Sequence, residues 1–141
     1  MGKRREGREA AVQFLFQDDL NKTDPGALPE ALEEFWKLRE STGNTRQFAG
    51  ELIRGVMENH AAIDERIKKV TANYELHRLA AVDRNILRVA IYEMLYTSEV
   101  PPVVCINEAI EIAKRFGSED SGGFVNGILD RLKEEVARPL R

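Results

Sequence analysis

The chain has 141 residues, 43% of them hydrophobic and 32% charged, a size that fits one domain and leaves no room for a multi-domain enzyme. Its 21 Lys and Arg against 24 Asp and Glu give a formal net charge of -3, which as a total argues against a nucleic-acid binder. The single Cys105 excludes an intramolecular disulfide framework and a Cys-rich zinc site, and with no apolar leader or membrane-length apolar run the chain is expected to be soluble and cytoplasmic.

Helical periodicity dominates throughout. A first helix is expected from Arg4 to Leu20, stopped by the turn formers Asn21 to Gly26. Val12, Phe14, Leu15 and Phe16 nearly encircle it, which implies a helix buried among others or one face, Phe16 with Leu20, left to dock a protein. Pro29 suits the first position of a second helix, Glu30 to Glu40. After a loop at Ser41 to Asn44, Asn44 or Thr45 is expected to cap a third helix with Phe48, Leu52 and Val56 stacked on one face. Asn59-His60 reads as a break before a fourth helix carrying Ile63, Ile67 and Val70, which ends at Ala72-Asn73.

Asp83 is expected to cap the strongest helix, where Ile86/Ala90/Met94 and Leu87/Ile91/Leu95 form two adjacent ridges. Pro101-Pro102 restarts the chain. Val103, Ile106, Ile110, Ala113 and Phe116 make the next stripe, with Gly117 as a left-handed cap. A last helix carries Val125, Ile128, Leu129, Leu132 and Val136. Short connections between one-faced helices predict an all-α bundle.

Residues for catalysis are scarce. His60 and His77 lack partners at ligand spacing, so no metal site and no cofactor is expected. Cys105, between Val104 and Ile106, reads as a small buried hydrophobe. Glu33-Glu34 and Glu134-Glu135 diverge around their helices and read as solvated faces.

Charge is more informative. Lys3, Arg4, Arg5 and Arg8 stand against only Glu6 and Glu9 within seven residues. Arg4 and Arg8 share a helix face, with Glu9 placed as an i+4 ion-pair partner for Arg5. Cations oppose the positive end of the helix dipole, so the cluster fits a phosphate ligand; a solvated terminus fits it equally well. A second segment, Lys114-Arg115-Phe116-Gly117, leads to a turn where Asp120 or Ser121 caps the last helix and Phe124 is positioned to stack on a base. Taken alone, this segment also reads as ordinary caps with Phe124 in the core.

The string Val82-Asp83-Arg84-Asn85-Ile86-Leu87-Arg88-Val89-Ala90-Ile91-Tyr92-Glu93 resembles the VDR-x-ILR-x-A-x-YE signature of the NusB family of transcription antitermination factors. Val100-Pro101, Ile106-Asn107-Glu108-Ala109-Ile110-Glu111-Ile112-Ala113-Lys114 and Phe124-Val125-Asn126-Gly127-Ile128-Leu129-Asp130 follow in the family's order. Arg8-Glu9-Ala10-Ala11-Val12-Gln13-Phe14-Leu15-Phe16-Gln17 matches its N-terminal block, and Phe48, Leu52, Gly55-Val56 and Ile63-Asp64 fall at its middle positions. The resemblance covers nearly the whole chain.

The resemblance implies about seven helices in two small packed bundles, residues 1–72 and 73–141 of a single 1–141 domain, and no enzymatic activity. It implies binding to boxA RNA of ribosomal RNA leaders as a heterodimer with a small-subunit ribosomal protein, NusE, in an assembly with NusA, NusG and RNA polymerase. By motif position, Lys3, Arg4, Arg5 and Arg8 form one RNA segment, and Lys114, Arg115, Asp120, Ser121 and Phe124 a second. Phe16 and Asp83 fall on the partner surface. Gly123 stands where the family commonly has a basic residue, and Tyr74 where it often has Trp. Two other readings are an RNA-binding domain related to a ribosomal RNA cytosine methyltransferase, against which the chain stops at Arg141 without a methyl-donor fold, and a homodimeric helical module.

Overall fold

Seven α-helices follow one another in the computed structural model, which describes residues 2–71 and 78–136, with side chains from Arg4 onward. They are α1 Gly2–Asn21, α2 Leu28–Lys37, α3 Gly43–Glu58, α4 His60–Thr71, α5 Ala81–Tyr96, α6 Pro102–Phe116 and α7 Ser121–Leu132. Single 3-10 turns stand at Pro25–Ala27 and Lys133–Glu135, and no strand occurs among the described residues. The division expected at residues 72 and 73, the end of α4 at Ala72-Asn73, and the positions of Tyr74 and His77 lie outside the described residues.

The two ridges of α5 make it the centre of the fold. It packs against α1, α3, α4, α6 and α7, while α1 also lies along α3, and α6 and α7 pair with each other. Ile86, Leu87, Ala90, Ile91 and Met94 are buried; a stripe this broad is what lets one helix serve five neighbours.

Several boundaries differ from the sequence expectation. α2 starts at Leu28 and ends at Lys37, because the 3-10 turn at Pro25–Ala27 already winds the chain. The cap of α3 is Thr42, whose hydroxyl accepts the Thr45 N–H at 3.2 Å; Asn44 and Thr45 lie inside the first turn. Asp83 does not cap α5, because the extended backbone of Ala80 starts that helix earlier and leaves Asp83 in its first turn. Gly117 is extended rather than left-handed. Its requirement is space: a Cβ there would lie 2.3 Å from Ser121 Oγ and 2.8 Å from the Ala113 carbonyl oxygen.

Gly55 is a sharper case of the same need. A Cβ on it would come within 2.0 Å of Tyr92 Cζ, so this glycine sets how closely α3 approaches α5. Gly55→Ala is expected to lower stability by about 1–3 kcal/mol, as overpacking does. Gly127→Ala, in the interior of α7 with nothing within 4 Å of the added carbon, should raise stability by up to about 1 kcal/mol, since alanine is the better helix former. Urea denaturation of the two variants side by side checks the contrast, and equal midpoints would contradict the close approach.

Candidate nucleic-acid interface

The basic N-terminal segment falls on the first turns of α1, and its charges meet different fates. Arg8 is only 5% exposed, and its guanidinium grips Glu93 of α5 with both arms, at 2.6 and 3.0 Å, with Glu108 of α6 3.6 Å away. Burial disfavours the Arg8 charge, but the Glu93 hydrogen bond prevails and its pKa is raised. Arg5 forks onto Glu108 at 2.9 and 2.7 Å; the hydrogen bond from Arg5 is the main reason the Glu108 carboxyl is held below its ordinary value. Arg4 remains exposed, its guanidinium carbon 4.4 Å from the centre of the Phe48 ring, a cation-π arrangement that leaves the charge toward solvent. The Lys3 side chain lies outside the described residues.

Glu9 does not pair with Arg5 as its i+4 spacing suggested. It is buried and receives Arg115 of α6, whose Nη1 donates to both carboxylate oxygens at 3.0 Å. Arg5 is turned to Glu108 with both of its hydrogen bonds, which leaves Glu9 to the arginine of the neighbouring helix. This pair joins the two segments expected to meet RNA, although they are more than 100 residues apart. Arg115 itself stays largely solvent-facing, and so does Lys114, which touches Glu111 at 3.5 Å.

Beyond α6 the turn is built by serine. Ser121 is buried and its Oγ accepts the Ser118 N–H at 2.9 Å, which closes the turn from below. Asp120 occupies the N-cap position of α7 without a side-chain cap bond and is exposed. Phe124 is half-buried against the core. Lys114, Ser118, Glu119, Gly122, Gly123 and Asn126, with Ile110, surround an open groove of about 350 Å³. Gly122 and Gly123 keep its wall bare: a Cβ at Gly122 would lie 3.6 Å from Lys114 Cγ, and one at Gly123 would stand in open space. Arg8 and Ser121, both expected at the RNA, are thus withdrawn from solvent, whereas Arg4, Lys114, Arg115 and Asp120 face it.

At its other end α1 meets the start of α5. Phe16 is 39% exposed. Asp83 is buried and its Oδ1 finds no hydrogen-bond donor among the described residues. Nearby, Arg88 donates to both Asp64 oxygens at 2.8 and 3.0 Å and to Asp19 at 2.9 Å. Arg84 and Asn85 complete the hold on Asp19 at 3.0 and 2.7 Å. Burial pushes the Asp19 carboxyl up, yet these hydrogen bonds and the Arg88 charge bring it below its ordinary value.

Sequence reasoning missed Glu93, Glu108 and Asp64 as partners of these arginines. One signal was present: Glu93 lies three residues after Ala90 and seven after Ile86, on the buried face of α5, where a carboxylate requires a cation. His60 reaches Asp64 at 3.4 Å from a half-exposed position. Cys105 is buried, as its apolar flanks suggested. No group of His, Cys, Asp and Glu suited to a metal ion occurs among the described residues, and no described helix is long and apolar enough to cross a membrane.

Comparison with known proteins gives a consistent result. The model of the NusB family matches residues 5–134. A transcription antitermination protein NusB of Sorangium cellulosum is 44% identical over 138 residues, which is 98% of this chain and 96% of the relative. The solved structure of T. maritima NusB superposes with a TM-score of 0.83 at 39% identity, covering 96% of this chain and 93% of that one. A crystal structure of the antitermination factors NusB and NusE in complex with dsRNA matches with a TM-score of 0.79 at 27% identity, covering 96% and 98% of the two chains.

Proposed function

The chain belongs to the NusB family, and on that premise we propose that it is an RNA-binding transcription antitermination factor, not an enzyme. It binds boxA RNA of ribosomal RNA leader transcripts as a heterodimer with the ribosomal protein NusE, and the pair joins NusA, NusG and RNA polymerase. The observation that carries this reading is the Glu9–Arg115 pair. It brings the basic start of α1 beside the end of α6, so that Arg4 on the one helix and Lys114 and Arg115 on the other are carried by adjoining elements. Those three, with Lys3, Asp120 and Phe124, form the RNA face. Arg5 supplies a charge shared with Glu108, and Arg8 and Ser121 are positioning residues beneath that face.

A face with only Arg4 and Arg115 as solvent-facing arginines binds RNA weakly alone, and a cationic ribosomal protein adds phosphate contacts and area. NusE docks on Phe16 and Asp83. The exposed Phe16 ring favours this, because covering an apolar side chain on association is favourable. Arg4→Ala and Lys114→Ala are each expected to weaken boxA RNA binding by the heterodimer and to lower the log–log salt slope by about 1, the signature of one lost phosphate contact. Both side chains are exposed, so thermal melts should stay at the wild-type value. An RNA titration at two salt concentrations checks this; unchanged low-salt affinity in both variants would sink the assignment of the RNA face.

A further inference from the structure

Three of the four large hydrophobic side chains that stand exposed among the described residues gather near the ends of α1 and α2: Phe16, Leu20 at 81% and Leu38 at 90% exposure. Phe16 and Leu20 are one turn apart and form a ridge along α1. Next to that ridge, Gln17, Asn21, Phe14 and Asp18 turn toward α2 and line a groove of about 340 Å³. Its floor is the edge-to-face pair Phe14 and Phe35, with ring centroids 5.4 Å apart. Leu38, just past the end of α2, forms the lip, and its side chain contributes nothing to the core. Exposed apolar groups that cluster around a concave surface mark a docking site.

The surroundings select the kind of occupant. From Gln17 to Glu40 the sequence has seven acidic residues against three basic ones. Asp18, on the groove wall, accepts the Thr23 N–H at 2.9 Å, and among the described residues no cation pairs with it. Arg39 is stacked over Phe35, 4.9 Å from the ring centre. An acidic rim of this kind repels phosphate and attracts a basic polypeptide.

We propose that the protein-docking face continues from the Phe16–Leu20 ridge into this groove, where the same cationic protein that covers Phe16 inserts an apolar side chain between Leu38 and the Phe14–Phe35 floor and sets a lysine or arginine on Asp18. The proposal rests on the reading of Phe16 as a NusE contact. One continuous surface then accounts for all three exposed hydrophobics and for the unpaired carboxylate beside them.

Calorimetric titration of NusE into the full chain tests it with three variants. Leu38→Glu should weaken binding roughly tenfold or more, as loss of an apolar anchor does, with an unchanged thermal melt because Leu38 has no core role. Asp18→Asn keeps the oxygen that accepts Thr23 N–H but loses the charge; it should slow association at low salt, and the difference should vanish at high salt. Phe16→Asp reports on the parent reading. Weakening by Phe16→Asp with wild-type behaviour of Leu38→Glu and Asp18→Asn overturns the groove and leaves the parent reading intact. Wild-type affinity in all three variants overturns both. Leu38→Glu that keeps NusE affinity but loses RNA binding overturns the choice of occupant.

Discussion

Arg8→Ala is expected to destabilise the protein by about 3–5 kcal/mol, because removing one partner of a buried ion pair strips the other of its paired charge and of two hydrogen bonds. The group that loses this partner is Glu93, whose side chain is 3% exposed and whose two oxygens each accept a hydrogen bond from Arg8. Solvent has little access to that carboxylate, and the alanine leaves a gap where the guanidinium lay. Replacing both partners tests the electrostatic origin. Arg8→Met combined with Glu93→Leu should recover most of the loss, since apolar pairs of similar volume match or exceed buried ion pairs in stability. Urea denaturation with a common slope provides the measurement, and an Arg8→Ala midpoint equal to wild type would refute the buried clamp. The prediction also governs how RNA experiments are read. A loss of RNA affinity in Arg8→Ala follows from unfolding of the first turns of α1, whereas the same loss in Arg4→Ala does not.

Leu87→Ala is expected to cost about 2–5 kcal/mol, the range for a fully buried leucine truncated in a core. Leu87 has 0% exposure and lies on the helix that touches five others, so a cavity there has rigid walls on several sides and collapses poorly. Differential scanning calorimetry should show a fall in Tm of several degrees, whereas Leu20→Ala, mostly exposed on α1, should leave Tm unchanged. A melt for Leu87→Ala that overlays wild type would mean that α5 is not the packing centre.

The α5 ridges were legible because hydrophobic periodicity over sixteen residues is a local property that packing reinforces. The break at Asn59 and the restart at Pro101 were legible for the same reason, as each depends on the conformational limits of one or two residues. Caps were less so. Thr42, Asn44 and Thr45 are all competent, and only the path of the loop decides which hydroxyl meets which N–H. Gly117 reads in sequence as a left-handed residue, but its role is steric and depends on Ser121 four residues later.

The site was legible as composition and not as geometry. Four basic residues near the N-terminus mark a charged segment, but whether Arg4 or Arg8 faces water depends on Glu93 and Glu108, 85 and 103 residues from the arginines they bind. Arg8 follows Arg4 by one turn and shares its face by simple periodicity. The two part company because Arg8 meets Glu93 of α5, whereas Arg4 lies over the Phe48 ring of α3. Leu38 illustrates the converse: at the end of an amphipathic helix a leucine suggests core, and only the tertiary course of the chain leaves it outside.

Both ends of α1 are bolted to α5, through Arg8 to Glu93 and through Asp19 to Arg88, so α1 serves as a ruler of fixed length. At about 1.5 Å per residue, Arg4 and Phe16 are about 18 Å apart along its axis. A protein held at the Phe16 end meets RNA held at the Arg4 end only if it spans that distance, and the spacing then sets the local concentration each ligand presents to the other. Tighter joint binding follows from this tethering alone, with no change of shape in the helix between them.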